Sequence, residues 1–333
     1  MKLKVGLLGG GSWGTTVASL SAKNNPTKMW ARNEKTVDEI NKHHRNEKYL
    51  PGAKLTESLK ATTSIKEAVQ DADVIVMGVP AQSFRQVLED TKPYIRPWVP
   101  IVSLSKGLEK GTKMRMTEII ETIMPGHPAG ALTGPNLARE ILAGQAAASV
   151  IAMVDDTIAL ALQKVFSNGL FRVYTNEDVI GCELGGALKN VIAIAAGMGD
   201  GAGAGDNTRS AVITRGLAEL TRLGVAMGGQ PQTFAGLAGM GDLVATCISP
   251  LSRNRHVGVQ LGQGKKLDQI IEEMSMVAEG VKTCGVVMNL AEEYNVEMPI
   301  TREVYKVIHE GNTVMDAFKG LLRHKSGSEA EPG

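Results

Sequence analysis

Behind a short apolar run, Val5–Leu8, the chain reads Gly9-Gly10-Gly11-Ser12-Trp13-Gly14 and then continues in helix-compatible residues. A G-x-G-x-x-G that leaves a strand and opens a helix restricts what can be built around it. Gly9 permits the tight turn, Gly11 lets the backbone approach a pyrophosphate, and Gly14 allows close helix–strand packing. The first N–H groups of the helix then face the anion. A glycine-rich turn can also stand there without a ligand; its position between strand and helix favours a dinucleotide site.

The same alternation recurs along the first half. Strands are expected at Val5–Leu8, Thr27–Trp30, within Asp73–Pro80, at Val99–Leu104, Ala131–Thr133 and Ser149–Ala152, and helices at Thr15–Lys23 and Glu34–His43. The run Asp73–Pro80 is apolar without alternation, as a strand buried on both faces should be. Strand–helix alternation implies an α/β, doubly wound, mostly parallel sheet with right-handed crossovers, a Rossmann domain over residues 1–179. From Gly181 onward helical periodicity takes over, at Leu184/Leu188/Val191/Ile192/Ala195, Ala211–Arg222, Leu267–Met276, Gly285–Tyr294 and Ile300–Glu310. An all-α domain over 180–323 and a flexible polar tail over 324–333 complete the expected organisation, and 333 residues exceed what one core usually supports. The glycine-rich stretch Gly197–Asp206 reads as an irregular loop between helices, since no Gly-Lys-Ser/Thr follows it.

Charge and cysteine usage exclude several function classes. With 36 basic and 35 acidic residues the formal charge is +1, so no global field exists for nucleic acid or an acidic membrane surface. The three cysteines, Cys182, Cys247 and Cys284, have neither C-x-x-C nor metal-ligand spacing, which fits a reducing compartment and a chemistry without metal. The apolar N-terminal run breaks at Leu8 into glycine and no later stretch was expected to span a membrane.

Lys189 is the most telling single residue. Its helix, Glu183 to Ala196, is apolar or small nearly all round and should be buried. No carboxylate lies at i±3 or i±4 from it, so the lysine needs either a partner from elsewhere in the chain or a lowered pKa. Two readings stay open: a proton carrier, or a lysine that snorkels or holds a structural ion pair. Asp242, ahead of an apolar run, suits a helix N-cap, the commoner use of such a residue, or a cap that is also the lysine's partner. Ser252-Arg253-Asn254-Arg255 offers a guanidinium beside hydrogen-bonding groups, fit for a phosphate clamp or for a solvated basic loop. Lys106 follows the strand Val99–Leu104 where ligands collect in open α/β sheets, and Gly134-Pro135-Asn136 follows another.

Taken in order and spacing, these motifs closely resemble the bacterial-type NAD(P)-dependent sn-glycerol-3-phosphate dehydrogenases. The resemblance runs from Lys4 to about Arg323 and includes Ser105-Lys106-Gly107, Thr133-Gly134-Pro135-Asn136-Leu137-Ala138, Ala187-Leu188-Lys189-Asn190, Gly205-Asp206-Asn207-Thr208-Arg209, Gly241-Asp242-Leu243 and Ser252-Arg253-Asn254. It implies that Lys189 carries the proton while Lys106 helps hold the reacting oxygen and Asp242 orients the lysine. Gly134, Asn136, Asp242, Ser252, Arg253 and Asn254 would line the glycerol-phosphate site; position 136 is often Ser or Thr in the family. Gly9, Gly11, Ser12, Trp13, Gly14, Arg32, Lys106, Ala138, Arg253, Val277 and Glu279 would contact the cofactor. The second strand ends at Trp30-Ala31 with no acidic residue for a ribose 2′-hydroxyl, and Arg32 suits a 2′-phosphate, so NADP is favoured over NAD. A cytoplasmic homodimer supplying the glycerophospholipid backbone is the family expectation. A 2-ketopantoate or 3-hydroxyacid reductase of similar build, and a non-catalytic dinucleotide sensor, are the alternatives; the first would leave Arg253 and Asn254 idle, the second would leave Lys189 without a task.

Overall fold

The computed structural model describes residues 2–274 and 278–323. The chain forms two compact units, Met1–Glu109 with Met114–Val179, and Lys110–Lys113 with Ile180–Gly333. The tail 324–333 and Val277 lie outside the described residues.

In the first unit β1 (Val5–Leu8), α1 (Ser12–Ala22), β2 (Thr27–Trp30) and α2 (Glu34–His43) lead to β3 (Lys60–Thr62) and α3 (Ile65–Val69). The chain continues through β4 (Val74–Met77), α4 (Ala81–Thr91), β5 (Ile101–Ser103), α5 (Met116–Ile123), β6 (Ala129–Thr133) and α6 (Ala138–Leu142). The unit closes with β7 (Ala147–Met153), α7 (Asp156–Phe166) and β8 (Phe171–Asn176). The strands form one eight-stranded sheet in the order β3-β2-β1-β4-β5-β6-β7-β8, parallel except where β6 meets β7. Strand order reverses direction between β1 and β4, the crevice where such sheets bind ligands.

Apolar residues alternate between two cores because the central strands β1, β4 and β5 are covered on both faces. Leu7, Val74, Val76 and Val102 pack into one cluster, while Leu8, Ile75, Met77 and Ile101 pack into the other. This confirms the physical meaning of the unbroken apolar run at β4. Two strands were not anticipated. β3 has only three residues. β8 does alternate, with Phe171 and Val173 buried and Arg172 and Tyr174 exposed, as an edge strand should. α1 starts at Ser12 rather than Thr15, because the glycine turn itself delivers the first helical residues.

The second unit is helical throughout its described residues. It contains α8 (Val179–Gly201), α9 (Asp206–Ala226), α10 (Pro231–Phe234), α11 (Asp242–Ile248) and α12 (Arg253–Gly262). α13 (Leu267–Glu273), α14 (Glu279–Glu293), α15 (Pro299–His309) and α16 (Val314–Arg323) follow. Segment Lys110–Lys113 joins this unit, and Lys113 pairs with Glu293 at 2.6 Å. The expected irregular loop at Gly197–Asp206 is corrected: α8 continues to Gly201 and α9 starts at Asp206. The glycines serve packing. A Cβ on Gly197 would stand 2.1 Å from the Arg255 carbonyl oxygen, and one on Gly201 2.1 Å from that of Val259. Gly258 and Gly262 answer from α12, at 2.1 Å from Ile194 O and 2.4 Å from Met198 O. Four glycines at helical spacing thus bring two helix backbones into contact, which no side chain would permit. α8 is also long and apolar enough to cross a membrane, contrary to the expectation that no such stretch occurs, but 89% of its apolar 18-residue window is buried inside the protein.

α15 is capped from a distance. Pro299 opens it, and Glu219 of α9, 2% exposed, accepts from the Ile300 N–H at 2.6 Å, the Thr301 N–H at 3.1 Å and the Thr301 hydroxyl at 2.9 Å. Burial pushes the Glu219 carboxyl up to about 7, against these hydrogen bonds. Between the ordinary carboxylate range and about 7 the folded chain therefore holds a proton that the unfolded chain has lost, and stability falls as pH rises through that window. Glu219→Gln is expected to destabilise by about 1–2 kcal/mol, because one acceptor replaces two. Its deficit relative to the parent should be larger at pH 5 than at pH 8 in denaturant titrations; a deficit that grows with pH would reverse the assignment.

Candidate active site

The first-unit residues expected to contact the cofactor gather at the carboxyl ends of its strands. Gly9 adopts φ +125°, and a Cβ there would lie 2.3 Å from the Gly78 carbonyl oxygen beyond β4. Glycine is required at this turn, since an L side chain is strained and obstructed together. A Cβ on Gly11, the N-cap of α1, would meet nothing within 4 Å, so open space faces the helix start. No side chain caps that helix, and its first-turn N–H groups suit an anion. Asn46, fully buried, braces the turn by donating to the Gly10 carbonyl at 3.0 Å and to Thr15 Oγ1 at 2.9 Å. The Trp13 ring stands edge-on to Phe171, and its buried Nε1 has no hydrogen-bond partner among the described residues. A close-approach turn, open space over an uncapped helix and an orphaned donor beside it fit a pyrophosphate-bearing dinucleotide.

Arg32 follows β2 as an exposed residue, and its neighbour Asn33 caps α2 by accepting from the Thr36 N–H. Lys106 follows β5, and its ammonium donates to the Gly134 carbonyl at 2.8 Å. Gly134 and Asn136 lie in the turn after β6, and Ala138 opens α6. Lys106, Gly134 and Asn136 are thereby brought onto neighbouring strand ends.

In the second unit the buried lysine finds its partner. Lys189, 5% exposed on α8, pairs through Nζ with Asp242 Oδ1 at 2.8 Å and donates to Thr246 Oγ1. Thr246 spends its own proton on the Asp242 main-chain carbonyl at 2.6 Å, one helical turn back. Its hydroxyl oxygen is therefore left to accept from the lysine. Asp242 is not an N-cap: Gly241 occupies that position, and Asp242 is the first residue of α11. A π-helical turn, Leu237–Gly241, delivers it, a geometry that recurs at functional sites.

Lys189 is followed by Asn190, whose Oδ1 accepts from Asn254 Nδ2 at 2.8 Å. Asn254 Oδ1 in turn accepts from the Gly280 N–H at 3.0 Å, tying α12 to the start of α14, which Glu279 opens. Ser252 caps α12 by accepting from the Arg255 N–H, and Arg253 stands exposed as the helix's first residue. Asn254 thus acts through its neighbours as much as toward a ligand. Asp200, on α8, takes both Arg209 and Arg255 at 2.7 Å, which anchors the same helix end. The α8–α12 glycine contact explains why Asn254 comes beside Asn190.

Thr246, Asn190 and Asn46 were missed from sequence. Thr246 carried a legible signal, sitting four residues after Asp242 on one helix face. Asn46 carried none, because its partners lie 31 and 36 residues away. Thiol chemistry is not offered: burial pushes Cys247 and Cys284 up to about 12. Among the described residues no cluster of three His, Cys, Asp or Glu side chains suits a metal ion.

Comparison with known proteins agrees along the whole length. Residues 4–159 match the model of the NAD-dependent glycerol-3-phosphate dehydrogenase N-terminus, and 178–319 match that of its C-terminus. A glycerol-3-phosphate dehydrogenase [NAD(P)+] of Sphingopyxis alaskensis is 63% identical over 333 residues, covering 100% of both chains. One of Mycobacterium avium is 56% identical, covering 98% of this chain and 96% of that one. The crystal structure of glycerol-3-phosphate dehydrogenase from Coxiella burnetii superposes with a TM-score of 0.92 at 36% identity, covering 97% of this chain and 99% of that one. With both halves of the family model matched and relatives alike from end to end, the chain belongs to the NAD-dependent glycerol-3-phosphate dehydrogenase family.

Proposed function

We propose that the protein interconverts sn-glycerol 3-phosphate and dihydroxyacetone phosphate with NAD(P)(H), and that Lys189 is its proton donor and acceptor. One observation carries the residue assignment. Of the three ammonium hydrogens of Lys189, one is held by Asp242 and one by Thr246, and the third has no partner among the described residues. A buried, oriented N–H with a fixed counter-charge is what a developing alkoxide needs. The nicotinamide, when bound, supplies the hydride that reduces the ketone carbon. Lys189 stabilises the oxygen that gains charge and then gives it the proton; in the oxidative direction it takes that proton back. Asp242 keeps the ammonium aimed, and Lys106 adds a second cation for the reacting oxygen. Arg253, with Ser252 and Asn254 shaping the start of α12, binds the phosphate, so that remote binding energy positions the carbonyl. A continuous absorbance assay with dihydroxyacetone phosphate and each reduced cofactor tests the reaction.

For the cofactor, Gly9, Gly11, Ser12, Trp13, Gly14 and Ala138 hold the dinucleotide, with Arg253, Val277 and Glu279 contributing from the second half of the chain. Exposed Arg32, past a strand end without an acidic residue, favours NADPH. Arg32→Asp is expected to lower the NADPH-to-NADH ratio of kcat/KM by about tenfold or more, since a charge-assisted contact is lost and a hydroxyl acceptor gained. An unchanged ratio would send Arg32 elsewhere. The three buried cysteines, without C-x-x-C or metal-ligand spacing, and the family resemblance support a cytoplasmic enzyme feeding glycerophospholipid synthesis. The same resemblance supports a homodimer, which sedimentation would test.

A further inference from the structure

Ser149, 0% exposed on β7, places its hydroxyl between the last residue of β6 and the turn that follows it. It lies 2.7 Å from the Thr133 carbonyl oxygen and 3.1 Å from Asn136 Nδ2. A hydroxyl has a single proton, and a carbonyl can only accept. The proton therefore goes to Thr133, and the Ser149 oxygen accepts from Asn136. This sets the amide: its nitrogen faces Ser149 and its oxygen points away. Asn136 Oδ1 is enclosed and has no hydrogen-bond partner among the described residues. An unpaired buried acceptor is unfavourable, and a ligand bringing a donor relieves it. Two residues earlier in the same turn, the Gly134 carbonyl receives Lys106 Nζ at 2.8 Å, which ties this oxygen to the proposed substrate group.

We infer that Ser149 is a positioning residue that presents Asn136 Oδ1 to the free hydroxyl of the substrate, the one on the carbon remote from the phosphate. The inference rests on the reaction proposed above. In dihydroxyacetone phosphate that hydroxyl is the only neutral donor, and an amide oxygen accepts its proton, whereas an amide nitrogen could only donate to its oxygen. A site built around such a contact discriminates against an analogue lacking the hydroxyl, because its acceptor is then left unpaired.

Hydroxyacetone phosphate, with a methyl group where the substrate has CH2OH, is the probe. The ratio of kcat/KM for dihydroxyacetone phosphate over this analogue is measured for the parent and for Ser149→Ala, Ser149→Thr and Asn136→Ala. The parent is expected to favour the hydroxylated substrate by at least about tenfold, and Ser149→Ala and Asn136→Ala to lower that ratio by roughly fivefold or more, chiefly through KM. Ser149→Thr keeps the hydroxyl and should keep the ratio. The double variant Ser149→Ala/Asn136→Ala should be no worse than Asn136→Ala, since both act on one contact. A merely structural serine would slow both substrates equally, and that result, or an unchanged ratio in Ser149→Ala, overturns the inference while leaving the reaction standing. A parent inactive on dihydroxyacetone phosphate overturns the reaction itself, and the inference with it.

Discussion

Replacing Lys189 with methionine is expected to lower turnover by roughly 10²–10⁴-fold, the loss typical of a positioned acid–base group. Methionine suits an apolar helix, but the structure adds a complication that the sequence did not reveal. Asp242 is 2% exposed and pairs with Lys189 at 2.8 Å, so the single change leaves a carboxylate buried without its counter-charge. Breaking one side of such a pair costs about 3–5 kcal/mol of stability. The expected outcome for Lys189→Met is therefore an inactive and markedly less stable protein. The double variant Lys189→Met/Asp242→Asn removes both charges and should recover most of the melting temperature without recovering turnover. Asp242→Asn alone should lose less activity than Lys189→Met, because its amide oxygen still accepts from the ammonium. Stability and rate thus separate: melting follows the charge balance, and chemistry follows the lysine. A double variant that melts like the parent and turns over like it would make the lysine structural and pass the proton role to Lys106 or to water.

Arg253→Ala is expected to reduce kcat/KM for dihydroxyacetone phosphate by roughly 10²-fold while leaving dihydroxyacetone within about threefold, as the loss of a charge-assisted phosphate contact predicts. The selectivity is the informative part. Arg253 is exposed at the first position of α12, where helix N–H groups and a guanidinium together suit a dianion. Removing it should leave the helix itself intact, because the cap is Ser252 and the anchor is Arg255 on Asp200 at 2.7 Å. Equal losses on the two substrates would show that Arg253 does not read the phosphate. Cofactor affinity is measured alongside, since the same arginine is proposed to contact the dinucleotide.

What was legible along the chain is what local chemistry dictates. The turn at Gly9–Gly14 needs glycine in part for local backbone reasons, the φ of +125° at Gly9 and the approach of Gly14 to the Gly9 carbonyl, so the dinucleotide motif could be read before any fold was known. The unbroken apolar run at Val74–Met77 announced a strand covered on both faces, and the absence of a carboxylate near Lys189 announced a distant partner. Other features depend on which distant segments meet. Asp242 read first as a cap, and alternatively as cap and lysine partner together; the π-helical turn before α11 places it inside the helix with its carboxylate on Nζ, so only the partner role stands. The glycines of Gly197–Asp206 looked like a loop because glycine disfavours helix locally, yet backbone contact with Gly258 and Gly262 outweighs that preference. Likewise, nothing near Asn136 in sequence tells which way its amide points. That choice belongs to Ser149, thirteen residues on and one strand over, because a single hydroxyl proton already committed to Thr133 leaves only one orientation satisfied.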